Sequence, residues 1–327
     1  MKRHPGYSDA GFKLGYTFAR LLPRAVCRGI GSLLGLAGYF TNDTSHAALR
    51  ENLRRVTEFH QGANAEADTD ADLASSAASP PDHERVKASR LERICLDNFR
   101  NFGRMLADYF FCTAAQPAQI RALLDEWHGI DNLKAALAEG RGVVLITAHL
   151  GNWELGGTLL ALDGWPINVV TLEEPTGELT RTRDEYRKRL GIRTIAVGEN
   201  KFAFVEMIAA LRRNEIVCML VDRPYAETGA PVSFFGRETG FSSAPVLLWQ
   251  HTGAAIIPAF VLQNPGGRYH AFAEPPIALE PIADRRESLA RNTQYIATAF
   301  EKIIRPHPEQ WFNYVPIWKN ETPQQPS

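Results

Sequence analysis

The residues best placed to do chemistry lie in one short stretch, His149-Leu150-Gly151-Asn152-Trp153-Glu154-Leu155-Gly156-Gly157. An imidazole oriented by a carboxylate takes a proton from an alcohol near neutral pH. The stretch follows the apolar run Val143-Val144-Leu145-Ile146-Thr147-Ala148 and leads into Thr158-Leu159-Leu160-Ala161-Leu162. That pattern reads as a buried strand, a tight turn and a helix. It puts His149 at the strand end and Glu154 in the first helical turn, the edge of an α/β sheet where ligands and catalytic groups gather. A purely structural reading covers the same residues. Asn152 suits an N-cap, Glu154 suits the positive end of a helix dipole, and Gly151, Gly156 and Gly157 permit close backbone approach.

Further blocks follow in order. Arg183-Asp184-Glu185-Tyr186-Arg187-Lys188-Arg189-Leu190-Gly191 sets Arg187 four residues before a glycine at a helix end. Val217-Cys218-Met219-Leu220-Val221-Asp222-Arg223 reads as a strand ending in an acid and an arginine. Next come Pro231-Val232-Ser233-Phe234-Phe235-Gly236, Ala244-Pro245, Thr252-Gly253-Ala254 and His307-Pro308-Glu309-Gln310-Trp311. Upstream stands Glu51-Asn52-Leu53-Arg54-Arg55. Spelled this way and in this order, the blocks resemble the bacterial lipid A biosynthesis acyltransferase family. That family is the branch of the lysophospholipid acyltransferase superfamily with the lauroyl, myristoyl and mannoside acyltransferases. The resemblance spans nearly the whole chain except residues 60–84.

The resemblance implies O-acyl transfer from a thioester of acyl carrier protein or coenzyme A to a hydroxyl of a lipid A-type or other glycolipid. The thioester is a co-substrate, so neither a cofactor nor a metal is expected. His149 is the expected general base. Two acids compete to orient it. Glu154 is the acid of the family motif, and Asp222 matches a strand-end acid that pairs with the histidine in mannoside acyltransferases. Position favours Asp222, because a residue five places on, across a turn and into a helix, need not point back at the imidazole. The turn amides at Gly151, Asn152 and Trp153 are candidate oxyanion donors. Arg187 and Arg223 are candidate anion binders for a phosphate or carboxylate on either substrate. Without the resemblance, Arg187 reads equally well as a surface charge. Its basic helix is also a candidate contact for the acidic acyl carrier protein.

One departure bears on the acceptor. Lipid A acylators close with a basic pair shortly after the Glu-Gln-Trp block, where this chain has Val315, Pro316 and Ile317. That leaves other glycolipids, aminolipids and polyene-type lipids open. Two readings from other classes compete with acyl transfer. A metal-dependent hydrolase on His149 and Glu154 lacks the second histidine at helical spacing that zinc motifs need. A non-catalytic membrane-binding protein has no use for His149, Glu154, Arg187 and Asp222 together.

The elements that must position these residues follow from the apolar periodicity. Strands are expected near 142–148, 166–172, 192–197, 215–221, 254–262 and 268–274. Helices are expected near 85–115, 117–127, 130–139, 153–163, 176–190, 201–213, 244–252 and 287–305. Alternation of this kind means an α/β fold, a mostly parallel central sheet flanked by helices. Residues 85–320 form the acyltransferase domain, followed by a tail at 321–327. Residues 61–84 carry Glu66, Asp68, Asp70, Asp72, Asp82 and Glu84 with no Lys or Arg, and read as a disordered acidic insertion.

Residues 1–60 form an N-terminal helical membrane-associating segment. It carries Lys2, Arg3, Lys13, Arg20, Arg24, Arg28, Arg50, Arg54 and Arg55 against Asp9, Asp43, Glu51 and Glu58. Charges and glycines interrupt every apolar run, so a spanning helix and a cleaved signal are not expected. A basic amphipathic segment suits an anionic membrane surface. The expected location is the cytoplasmic face of the bacterial inner membrane, as a peripheral or monotopic protein. Net charge is −1, which gives no global field for nucleic acid. Cys27, Cys95, Cys112 and Cys218 show no metal or disulfide spacing.

Overall fold

The computed structural model describes residues 9–65, 80–172, 178–198, 200–223 and 229–318. Four helices open the chain: α1 (Asp9–Leu21), α2 (Arg24–Thr41), α3 (Asp43–Ala65) and α4 (Pro80–Ala114). The expected insertion is therefore helical at both ends, through Ala65 and again from Pro80, and its remainder lies outside the described residues. The 321–327 tail lies outside them too.

The α/β layer begins with the short helix α5 (Pro117–Arg121) and strand β1 (Leu124–His128). The sequence pattern runs a single helix through 117–127. The structure instead breaks it after Arg121 and pairs Leu124–His128 with β9 (Tyr269–Ala273) at the sheet edge. Asp125 and Glu126 there suit an edge strand, where charge discourages pairing with another chain. Helix α6 (Ile130–Ala138) leads to β2 (Val143–Thr147), α7 (Trp153–Leu162), β3 (Ile167–Leu172), α8 (Glu178–Arg189), β4 (Arg193–Val197), α9 (Ala203–Arg212) and β5 (Ile216–Leu220). After the β6–β7 hairpin (Ala230–Phe234, Arg237–Phe241) come α10 (Ala244–Thr252), β8 (Ala255–Gln263), β9 and α11 (Arg285–Ile304).

Seven strands form one sheet in the order β1-β9-β8-β2-β5-β3-β4. Strands β8, β2, β5, β3 and β4 run parallel, and β9 turns back against β8. The central strands are continuous apolar runs because helices cover both faces. Strand β2 pairs with β5 so that Thr147 faces Leu220. His149 and Asp222 therefore stand two residues beyond the same rung, on one edge. The hairpin turns through Phe235 and Gly236, both at positive φ, and buries Phe234 and Phe235 against Trp311.

Helix α2 reverses the expected orientation of the N-terminal segment. Arg24 and Arg28 are its only charged residues, and both turn inward onto the fully buried Asp108 of α4. Arg50 pairs with Glu92, Arg54 with Glu51 and Glu58, and Arg55 with Glu51. The outward residues of α2 are apolar instead: Val26, Leu33, Leu34 and Phe40 are all exposed. Helix α2 therefore presents no cationic face. A helical wheel separates charged from apolar residues but does not say which set meets solvent. No described helix is long and apolar enough to cross a membrane.

Helices α2 and α4 meet almost backbone to backbone. A Cβ added at Gly31 or Gly35 would overlap the carbonyl of Gly103 or Phe99, and one at Gly103 would overlap the Gly31 carbonyl. The Gly31-x-x-x-Gly35 spacing puts both glycines on the contact face, where absent side chains let helices close. We expect Gly103→Val to cost about 1–3 kcal/mol through overpacking, read as a lowered midpoint in thermal unfolding. An unchanged midpoint would show that α2 does not seat on α4 this way.

Candidate active site

The site begins at the turn between β2 and α7. Asn152 caps α7, its Oδ1 accepting from the Leu155 amide at 3.1 Å. Gly151 has φ 63°, and a Cβ there would overlap the Val261 carbonyl. Only glycine adopts this conformation at so close an approach without strain. The Gly151 amide donates to the Gln310 carbonyl at 2.9 Å, and the Asn152 amide to Val261 at 2.8 Å. Both amides are therefore engaged inside the protein. Gly151 and Asn152, candidate substrate contacts by sequence, have these two amides bonded within the turn's own surroundings.

Asp222 receives the imidazole. His149 Nδ1 lies 2.7 Å from Asp222 Oδ1. The His149 amide donates to Oδ2 at 3.0 Å. Trp311 Nε1 and Asn313 Nδ2 also donate to Oδ2, at 2.9 and 3.0 Å. Asp222 is wholly buried. Burial alone would raise its pKa, but the neighbouring His149, then Arg223 and the Trp311 indole, more than offset this and hold it at about 2. A carboxylate held this low contributes stability above its ordinary value of 3.8, and that contribution is lost as pH falls toward 2. Asp222 is thus ionised throughout the working range.

The His149 imidazole is shifted too. Burial lowers its pKa below the usual 6.5, Asp222 opposes that, and Arg223 adds to it. The ring is neutral at neutral pH, with its Nδ1 proton directed at Asp222. Among the described residues no group bonds Nε2, which leaves that nitrogen free to accept a proton. Trp153 stands edge-on to the imidazole, ring centroids 5.4 Å apart.

Glu154 does not reach the imidazole. Its Oε1 accepts from Arg187 Nη2 at 2.5 Å. Arg187 is 3% exposed, and its Nε and Nη1 have no hydrogen-bond partner among the described residues. It is a buried cation with donors to spare. Arg223 bonds the Asn313 side chain and donates to the Phe312 carbonyl at 2.8 Å, holding the segment that serves Asp222. One group elsewhere has metal-type donors, His46, Glu92 and Cys95. Glu92 there is already engaged by Arg50 and the Tyr39 hydroxyl, so a cation would have to displace an arginine.

Sequence reasoning missed Trp311 and Asn313 as partners of Asp222, and the two asparagines that seat their segment. Asn98 Nδ2 donates to the Trp311 carbonyl at 2.9 Å. Asn52 Nδ2 donates to the carbonyls of Asn313 and Val315, and its Oδ1 accepts from the Ile317 amide. The signal was present, since Asn52 and Trp311 sit in blocks that carried the resemblance. Ile317 packs in the core, so no cation stands at that place in the tail.

Residues 84–320 match the family model described as bacterial lipid A biosynthesis acyltransferase. The chain is 28% identical over 313 residues to phosphatidylinositol mannoside acyltransferase of Mycobacterium tuberculosis (strain ATCC 25618 / H37Rv), covering 95% of this chain and 88% of the relative. It is 26% identical over 313 residues to the protein of that name from Mycolicibacterium smegmatis, covering 95% and 91%. It is 25% identical over 227 residues to lipid A biosynthesis palmitoleoyltransferase of Escherichia coli (strain K12), covering 68% and 71%.

Two outcomes follow from this geometry. Trp311→Phe removes one donor from a buried carboxylate and should cost about 1–3 kcal/mol in denaturant unfolding. The acid limb of a kcat/KM profile should break below pH 6.5, where His149 takes up its proton and stops acting as a base. A break above that value would contradict the shift.

Proposed function

The chain belongs to the bacterial lipid A biosynthesis acyltransferase family, and from that footing we propose that it acylates a hydroxyl of a glycolipid acceptor with His149 as general base. The carrying observation is the 2.7 Å contact between His149 Nδ1 and Asp222 Oδ1, which leaves Nε2 unbonded among the described residues. Nε2 removes the acceptor hydroxyl proton while the oxygen attacks the thioester carbonyl. The new C–O bond forms as the C–S bond breaks, and the imidazolium returns the proton to the departing thiolate. Asp222 fixes the tautomer and stabilises the imidazolium without itself being protonated.

The remaining groups take supporting roles. Glu154, in the first turn of α7, holds Arg187 of α8, and the spare donors of Arg187 suit a phosphate or carboxylate reaching the site. The donor is a thioester of acyl carrier protein or coenzyme A. For the acceptor, the relatives that align over 95% of the chain are named for phosphatidylinositol mannoside, and those named for lipid A align over 68%. Together with the uncharged tail at Val315–Ile317, this favours a mannoside-type glycolipid over a phosphorylated lipid A. A metal hydrolase fits less well, because Glu154 is spent on Arg187 and does not converge on His149.

The proposal places the protein at the cytoplasmic face of a bacterial inner membrane, held by α2. Its outer face exposes Val26, Leu33, Leu34 and Phe40 with no charged residue among them, as a helix lying in the lipid interface requires. Attachment is then apolar and not electrostatic.

His149→Ala should leave folding nearly unchanged and lower transfer by ~10² or more. Asp222→Asn should lower it by roughly 10²–10⁴ through the wrong tautomer. Thiol release and lipid mass spectrometry read both, and near-full activity in His149→Ala would sink the mechanism. The protein should pellet with phosphatidylcholine–phosphatidylglycerol vesicles in low and high salt alike, and Leu33→Glu/Leu34→Glu should stay in the supernatant. Release by salt alone would restore an electrostatic attachment.

A further inference from the structure

Between helix α2 and the turn that carries His149 runs a continuous chain of buried hydrogen bonds. It starts on the inward face of α2. Arg24 Nε and Nη2 donate to Asp108 Oδ1 and Oδ2 at 2.7 and 2.9 Å, and Arg28 joins them at Oδ2. Asp108 is wholly buried on α4. The Tyr269 hydroxyl, on β9 and 1% exposed, donates to the same Oδ2 at 2.6 Å. That hydroxyl accepts from Asn152 Nδ2 at 3.3 Å and from Gln263 Nε2 at 3.4 Å. Asn152 is the cap of α7, three residues after His149. Gln263 is bonded in turn to the side chain of Gln310, whose carbonyl holds the Gly151 amide.

We propose that Asp108 and Tyr269 are positioning residues that couple the outer face of α2 to the catalytic turn, so that contact with a lipid surface orders the His149–Gly157 segment. The chemistry of the chain supports this. A carboxylate in a dry interior is tolerable only while its donors stay in place. Two of the three side chains that bond Asp108 come from α2, and the third holds the cap of α7. A shift of α2 therefore cannot relax Asp108 locally without disturbing the Tyr269 hydroxyl. Arg24 also donates to the Gly267 carbonyl at 2.6 Å, in the turn that joins β8 to β9, which ties α2 to the strand bearing Tyr269. When lipid fixes α2, the turn loses freedom with it. The ligand sensed is an apolar lipid interface, and the idea rests on the interfacial role of α2 proposed above.

Hydrogen–deuterium exchange of the full chain, with and without phosphatidylcholine–phosphatidylglycerol vesicles, tests the coupling without needing turnover. In the wild type, vesicles should slow exchange in α2 and also in the peptide 149–157. Tyr269→Phe keeps both arginines on Asp108 but removes the link. It should retain the slowing in α2 and lose it in 149–157. Asn152→Ser keeps a capping oxygen while removing the Nδ2 donor, and should give the same loss even if Tyr269→Phe fails to fold. The double variant should be no worse than either single one, as expected for groups acting through one link. Vesicle protection of 149–157 that survives both substitutions overturns the coupling. So does a wild type in which α2 is protected and the turn is not. If α2 itself shows no protection, the coupling falls along with the interfacial role of α2. The base role of His149 is judged separately by its alanine variant.

Discussion

The Asp222 carboxylate is the group that the rest of the structure must accommodate. It is wholly buried, ionised, and bonded by four donors from three residues: the ring and amide of His149, the Trp311 indole and the Asn313 amide. A buried charge costs several kcal/mol unless every lone pair is met. Residues 305–318, after α11, hold one 3-10 turn, Pro308–Gln310, and are otherwise irregular. They pair with the turn that bears His149 through Leu150 and Trp311, and their carbonyls are taken up by Asn52 and Asn98. The first helices and the last residues, about 260 positions apart, are thus fastened together around the dyad. The helical N-terminal region is part of the acyltransferase unit and not a separate anchor appended to it.

A second buried carboxylate, Asp108, plays the same organising part on the other side of the turn. Asp222 gathers the C-terminal segment under the imidazole, and Asp108 gathers α2 and β9 behind Asn152. The His149–Gly157 turn lies between the two, with the Gly151 and Asn152 amides both satisfied by neighbouring backbone.

What was legible in the sequence was what local pattern encodes. The apolar run before His149 gave a central strand, Asn152 gave the cap, and the apolar run before Asp222 gave an acid at the end of a parallel neighbour. Adjacency of β2 and β5 then brought His149 and Asp222 together. What was not legible depended on tertiary choice. Leu124–His128 has no strong period in five residues, so only its pairing with β9 decides it. Arg24 and Arg28 share a helix face, but whether it looks in or out depends on an aspartate 80 or more positions away. Trp311 and Asn313 find Asp222 across about 90 residues, a distance that no spacing rule spans.

The glycine seam between α2 and α4 has a further consequence. With Gly31 and Gly35 against the carbonyls of Gly103 and Phe99, α2 can neither slide nor roll without forcing backbone into backbone. Turning it by one residue would rotate its outward face by roughly 100° and carry Arg24 off Asp108. The helix therefore has a single azimuth. The seam is thus a key in its slot: the register that seats the glycines is the one that presents Val26, Leu33 and Phe40 outward.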